Sequence, residues 1–314
     1  MRWLSVAALI LLGALSTEPA VSQSPRDRAI SLINQGAAYA EQENYDRAIA
    51  AFSEAIKLDP SEAVAWQNRG ITYREQGEYA KSIADLTEAA RLKPRQSSTF
   101  YHRGKTYDML GDPDRAIADF TEAIRLDPRT ARNFSNRAEV LRKQHRYDEA
   151  IADFDQAIRR EPAAAAHQLG RGHAYEDKGD LNAAIAAYGE AIRVSPTNVL
   201  ALLARGNAFR LQKNYESAIE DFDAVIKQNP NQASAFIARC SARIALNRLA
   251  EATEDCDEAI KLKTSRRVSA LAQYGRGIAK LHAGDQAGGE ADIATARRIY
   301  ARILDEAAKA GFSP

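Results

Sequence analysis

Prolines stand at positions 60, 94, 128, 162, 196 and 230, and every interval is 34 residues. A fixed period of this size means one supersecondary unit copied along the chain, because no single unit can bury its apolar face without its neighbour. Other positions keep the same step. Small residues recur at Gly36, Gly70, Gly104, Ala138, Gly172 and Gly206, and large ones at Tyr39, Tyr73, Tyr107, Leu141, Tyr175 and Phe209. A second small position runs Ala48, Ser82, Ala116, Ala150, Ala184, Ala218 and Ala252. A second large one runs Phe52, Leu86, Phe120, Phe154, Tyr188 and Phe222.

Each unit reads as a helical hairpin. Its first half carries apolar residues at helical spacing, as in Trp66, Gly70 and Tyr73. A break follows, with glycine at 77, 111 and 179, where a left-handed backbone ends a helix. The second half is again helical, as in Ala116, Phe120 and Ala123, until proline stops it. Small residues let the two backbones approach, and large ones fill the space between hairpins. Abundant alanine suits helices, and with 45% hydrophobic and 27% charged residues the chain can bury a sizeable core.

These residues resemble the tetratricopeptide repeat family. Its pattern is met by Trp66, Gly70, Tyr73, Ser82, Leu86, Ala89 and Pro94, and again by Phe100, Gly104, Tyr107, Ala116, Phe120, Ala123 and Pro128. Repeats are placed at 29–62, 63–96, 97–130, 131–164, 165–198, 199–232 and 233–266. An eighth at 270–298 follows a three-residue insertion in KLKTSRRVSA, so a solenoid covers 29–298. The resemblance implies an all-α, right-handed superhelix of antiparallel hairpins whose first helices line a concave side. The seventh and eighth repeats depart from the pattern at Arg243, Thr264, Lys280 and Gly289. No glycine or proline interrupts Ala291 to Ala310, so a long helix is expected there. Its face of Ile299, Tyr300, Ile303, Leu304 and Ala307 makes residues 299–314 a capping helix.

The N-terminal stretch has a different composition. Arg2 precedes an apolar run from Trp3 to Leu15, too short for a bilayer core of about 20 residues, and Ala20-Val21-Ser22 offers a small-x-small cleavage site. Residues 1–22 are read as a signal peptide and 23–28 as a linker, which makes the chain exported, periplasmic or secreted. After cleavage no membrane insertion is expected. A net charge of +1 gives no field that would draw nucleic acid.

Arginine holds one repeat position at 69, 103, 137, 171, 205, 239 and 276, and aspartate follows sixteen residues later at 85, 119, 153, 221, 255 and 292. Positions equidistant from a hairpin turn face each other, so these read as a ladder of ion pairs and not as a polyanion site. The same spacing brings Cys240 and Cys256 face to face as a disulfide candidate in an oxidising compartment, two buried thiols being the other reading. The five histidines show no metal-ligand spacing, and no nucleophile elbow, phosphate loop or dinucleotide fingerprint occurs. Neither catalysis nor a cofactor is expected.

A partner would bind where first-helix residues are free of packing. Tyr101, Lys105, Arg132, Asn136, Arg142, His173, Asn207 and Arg210 are the candidates, with Asp108, Glu139 and Glu176 among them. They form a mixed polar groove for an unidentified peptide or protein. Some family members clamp chaperone carboxylates with lysine and asparagine, but no lysine stands where that clamp needs one on a first repeat. Toward the C-terminal end the same face turns apolar, with Leu200, Leu203, Leu211, Ile237, Ile244, Leu271, Tyr274, Ile278 and Leu281. Either the last helix folds over it or another subunit does. The expected function is a non-catalytic interaction scaffold. The alternative is an assembly subunit of an envelope complex, a homo-oligomer joined through that apolar end.

Overall fold

The computed structural model describes residues 24–312. The signal segment expected at 1–22 lies outside them. Seventeen α-helices and no strand occur among the described residues, as hairpins in two compact units that meet at Glu161 and Pro162. The first unit pairs α1 (Pro25–Glu41) with α2 (Tyr45–Leu58), α3 (Ala63–Glu75) with α4 (Tyr79–Leu92), α5 (Ser97–Leu110) with α6 (Pro113–Leu126), and α7 (Ala131–Lys143) with α8 (Tyr147–Arg160). The second pairs α9 (Ala165–Lys178) with α10 (Leu181–Val194), α11 (Val199–Leu211) with α12 (Tyr215–Gln228), α13 (Ala233–Ala245) with α14 (Leu249–Lys261), and α15 (Arg266–His282) with α16 (Gln286–Ile299). A short α17 (Ile303–Lys309) ends it.

The repeated residues act as anticipated. Ahead of each of the six prolines the helix closes on Asp59, Lys93, Asp127, Glu161, Ser195 or Asn229, with φ from −130° to −140°. The proline ring clashes with a helical predecessor and drives it to extended backbone. Where Thr264 replaces proline, Lys263 turns left-handed instead. Every hairpin turn has one left-handed residue at the same repeat position. It is glycine at 77, 111, 179 and 284, but Glu43, His145, Lys213 and Asn247 take φ of 56–62° elsewhere.

Phe52, Leu86, Phe120, Phe154, Tyr188 and Phe222 are all at most 2% exposed, each opposite the small residue sixteen positions earlier. The arginine ladder forms in all six repeats that carry both residues. Arg103, for example, donates Nε and Nη2 to Asp119 at 2.8 Å and Nη1 to Thr87 Oγ1 at 3.1 Å. Thr87 belongs to the preceding hairpin, so one guanidinium ties its own hairpin shut and fastens it to the one before. Arg69 and Arg137 repeat the arrangement with Ser53 and Thr121. Cys240 and Cys256 are joined across α13 and α14, with Cα atoms 6.1 Å apart, inside the usual disulfide range.

Successive first helices touch within each unit, α1 to α3 to α5 to α7 and α11 to α13 to α15. Second helices do not pack on one another in this way, so the first helices form the inner layer of each solenoid segment.

Three boundaries differ from expectation. Residues 25–28 are the first turn of α1 and not linker, because Ser24 and Asp27 form a reciprocal capping box with Pro25 at the first helical position. The eighth hairpin begins at Arg266, capped by Ser265. The continuous helix expected to Ala310 breaks at Tyr300, which is extended at φ −147°. The break turns α17 back onto α15 and buries Ile303, Ala307 and Phe312, while Leu304 is left 49% exposed. A straight helix would have carried those apolar residues into solvent.

Candidate functional site

In the first unit the inner layer collects cations around α5. Arg74, at the end of α3, is 3% exposed and donates Nη2 to Glu75 at 2.7 Å and Nη1 to His102 Nδ1 at 3.3 Å. A guanidinium can only donate, so Nδ1 accepts and the ring proton sits on Nε2. Burial, reinforced by Arg74, Arg132 and Lys105, pushes His102 well below the ordinary histidine range. It is therefore held neutral as a structural acceptor.

One helical turn on, Lys105 is half-buried, and burial together with Arg74 pulls its ammonium down. The two carboxylates that favour its charge are engaged elsewhere, Glu75 by Arg74 and Asp108 by Lys143 at 3.0 Å. Arg132 is exposed and lies over the Tyr101 ring, 4.8 Å from its centroid. Asn136 donates to the Arg132 carbonyl at 2.8 Å. Arg142 pairs with Glu139 at 3.1 Å.

Tyr101 departs from the expected role. It is 8% exposed, packed against His102 and Phe120, and burial raises its pKa. It is a floor under Arg132 and not an aromatic surface open to a peptide. The structure thus brings Lys105, Arg132, Asn136 and Arg142 onto one face of the first unit and adds Arg74 and His102 beneath them. The periodic pattern singles out neither, since His102 has no counterpart at its repeat position and arginine shares the Arg74 position with Asp108, Glu176 and Ile244. A polar pair at 74 and 102 on neighbouring first helices was the available signal.

His173, Asn207 and Arg210 lie in the second unit. His173 meets the Tyr188 ring edge-on at 5.5 Å, and the Tyr188 hydroxyl donates to Glu176 at 2.5 Å. Asn207 is half-buried on α11. Arg210 is not open to a partner, because its Nη2 donates to the carbonyl of Lys309 at 3.4 Å. The apolar end expected in this unit is covered from within. Phe312 packs beside Tyr274 and over Gly275, and Arg267 pairs with Glu306 at 2.9 Å at the edge of α17. Leu200 and Leu211 stay about half exposed.

Among the described residues no group of three His, Cys, Asp or Glu side chains is placed to hold a metal ion, and no helix is long and apolar enough to cross a membrane.

Tetratricopeptide repeat models match residues 35–99, 101–165, 135–188 and 169–233, together more than half of the chain. Among solved structures, the C-terminal part of a tetratricopeptide repeat protein from Cytophaga hutchinsonii aligns with a TM-score of 0.63. It is 15% identical and covers 76% of this chain and 98% of its own. A tetratricopeptide repeat protein from Parabacteroides merdae aligns at 0.59 and 16% identity over 78% and 98%. YrrB, described as a repeat protein with an unusual peptide-binding site, is 25% identical over 56% and 91%, at a TM-score of 0.49. Comparison with the curated proteins gave no significant match.

Proposed function

Because this chain belongs to the tetratricopeptide repeat family, we propose that it is a non-catalytic scaffold which holds a protein or peptide on the inner face of its first unit. The supporting observation is the charge arrangement at α5 and α7. Lys105 is a cation whose neighbouring carboxylates are already engaged, and it stands with Arg132, which lies over Tyr101, and Arg142 on a face fixed by the buried Arg74–His102 contact. Such a face attracts a segment rich in carboxylates, and half-buried cations strengthen the attraction because they are poorly screened. Burial of Ile303, Ala307 and Phe312 favours this reading over assembly through the apolar C-terminal end, since the chain itself covers that surface.

Export belongs to the same proposal. It rests on the apolar run Trp3 to Leu15 and the small residues after it, together with a disulfide that an oxidising compartment would preserve. Two measurements test the reading. A reporter that is active only outside the cytoplasm, fused after residue 40, should be active, with cleavage near Ser22 found by N-terminal sequencing. Capture from envelope extracts should return a partner with the native chain and lose it with the Lys105→Ala, Arg132→Ala double variant. Equal recovery by both would remove the site, and an inactive reporter would remove export.

A further inference from the structure

Arg210 is a half-buried guanidinium that pairs with no carboxylate among the described residues. Its Nε is buried without a hydrogen-bond partner among the described residues, and its Nη2 makes only a long hydrogen bond, to the Lys309 carbonyl at 3.4 Å. Burial pulls its pKa down, as it must for a cation lacking a counter-charge. What lies against it is a segment of the chain's own backbone. Gly311 sits against Arg210 and the Ser241 hydroxyl, and Phe312 lies so close to the Gly275 backbone that a Cβ there would come within 2.5 Å of its ring. The seat therefore spans α11, α13 and α15, the inner layer of this unit.

The occupant is held by three side chains and little else. Helix α17 has seven residues, too few to be stable alone, and hangs from the extended Tyr300. Its one ion pair to the seat, Arg267 with Glu306, has Arg267 62% exposed, so it contributes little. Ile303, Ala307 and Phe312 supply the attachment, one apolar stripe at spacings of four and five.

We propose that the inner face of the second unit is a peptide site which residues 303–312 fill in place of a partner. The partner it fits is a short amphipathic helix with the same stripe, ending in an aromatic residue and presenting a carboxylate to Arg210. A backbone carbonyl satisfies Arg210 poorly, and a carboxylate would both pair its charge and accept a forked hydrogen bond. The site is independent of the cationic face on the first unit.

The test uses a fluorescein-labelled peptide of residues 300–312, as free acid and as amide, titrated against the full chain by fluorescence anisotropy. Phe312→Ala and Ile303→Asp each release the internal occupant. Both released chains should bind the free acid at least tenfold more tightly than the native chain does. The amide should bind them severalfold more weakly than the acid, and Arg210→Gln should abolish that difference. Binding should be indifferent to Lys105→Ala with Arg132→Ala, which separates this site from the one on the first unit. Equal affinity for native and released chains overturns the proposal. So does loss of the second unit's helical structure in both released variants, which would make the segment part of the fold and not an occupant. Equal affinity of acid and amide overturns the role given to Arg210.

Discussion

Two glycines in one hairpin should respond oppositely to alanine. Gly172 on α9 faces Tyr188, and a Cβ there would overlap the edge of that ring. Gly189 on α10 faces near-open space, with Arg205 Nη1 at 3.7 Å its nearest neighbour. Alanine in a helix interior is worth about 0.5–1 kcal/mol over glycine, chiefly because it restricts the unfolded chain. Gly189→Ala should therefore gain about that much. Gly172→Ala takes the same gain but must move a fully buried ring, and overpacking a tight core costs about 1–3 kcal/mol. The preceding repeat carries Ala138 and Phe154, both buried, at these two positions, so the repeat tolerates a Cβ there when the large residue is a phenylalanine with no hydroxyl to hold. Tyr188 is not free, since its hydroxyl is tied to Glu176 at 2.5 Å. The net loss for Gly172→Ala is expected to be about 1–2 kcal/mol, and Tyr188→Phe added to it should recover part. A repeat array need not unfold in one step, so the readout is hydrogen exchange in peptides from α9 and α10. Faster exchange for Gly172→Ala and slower for Gly189→Ala is expected. The same sign for both would refute the reasoning.

Acid should loosen the first unit. His102 faces Arg74, Arg132 and Lys105, and its folded pKa lies below the unfolded value. Below about pH 6.5 the unfolded chain binds the extra proton, so stability is intact above that pH and falls beneath it by up to about 1.4 kcal/mol per pH unit. Denaturant melts followed by Trp66 fluorescence should show this slope, and His102→Gln should flatten it. Breaking one rung of the ladder with Asp119→Asn should cost about 3 kcal/mol by stranding Arg103, whereas replacing both residues with apolar ones should be nearly neutral in the same melts. Reducing the Cys240–Cys256 bond should cost about 3 kcal/mol, seen as a lower melting temperature with dithiothreitol that Cys240→Ala with Cys256→Ala reproduces without it.

The parts of the fold that were readable are those written many times over. Prolines at 34-residue spacing, a small residue facing a large one sixteen positions on, and arginine facing aspartate at the same separation each repeat a packing contact, so one pattern describes six sites. Single events were not readable by that route. Residues 25–28 precede the repeat register and so read as linker by period alone, although Ser24, Pro25 and Asp27 spell a helix start. Tyr300 breaks a helix with no glycine or proline to announce it, because the driving force is the burial of Ile303 and Phe312 elsewhere in the unit. Tyr101 looked open by register, but Arg132 and Phe120 close over it from neighbouring helices.

What distinguishes one repeat from the next is best seen in a single column of the inner layer, Arg74, Asp108, Arg142, Glu176, Arg210 and Ile244, each 34 residues after the last. All six stand near the ends of first helices, so differences in their contacts are chiefly differences of side chain. In the first unit the column is polar and its charges are answered locally: Arg74 by Glu75, Asp108 by Lys143, Arg142 by Glu139. In the second unit it runs from Glu176, which takes the Tyr188 hydroxyl, to Arg210, paired with no carboxylate among the described residues, to Ile244 packed against the apolar cluster that contains Phe312. A polar column can stay wet at little cost, but an apolar one with a lone buried cation cannot. That asymmetry accounts for the return of α17 to the second unit, and under the two proposals the inner faces would take different ligands. Exchanging the column residues of one unit for those of the other, Arg142→Ile with Ile244→Arg, should shift the labelled peptide's preference between faces without altering helix content. A loss of helix content would mean the column is part of the core.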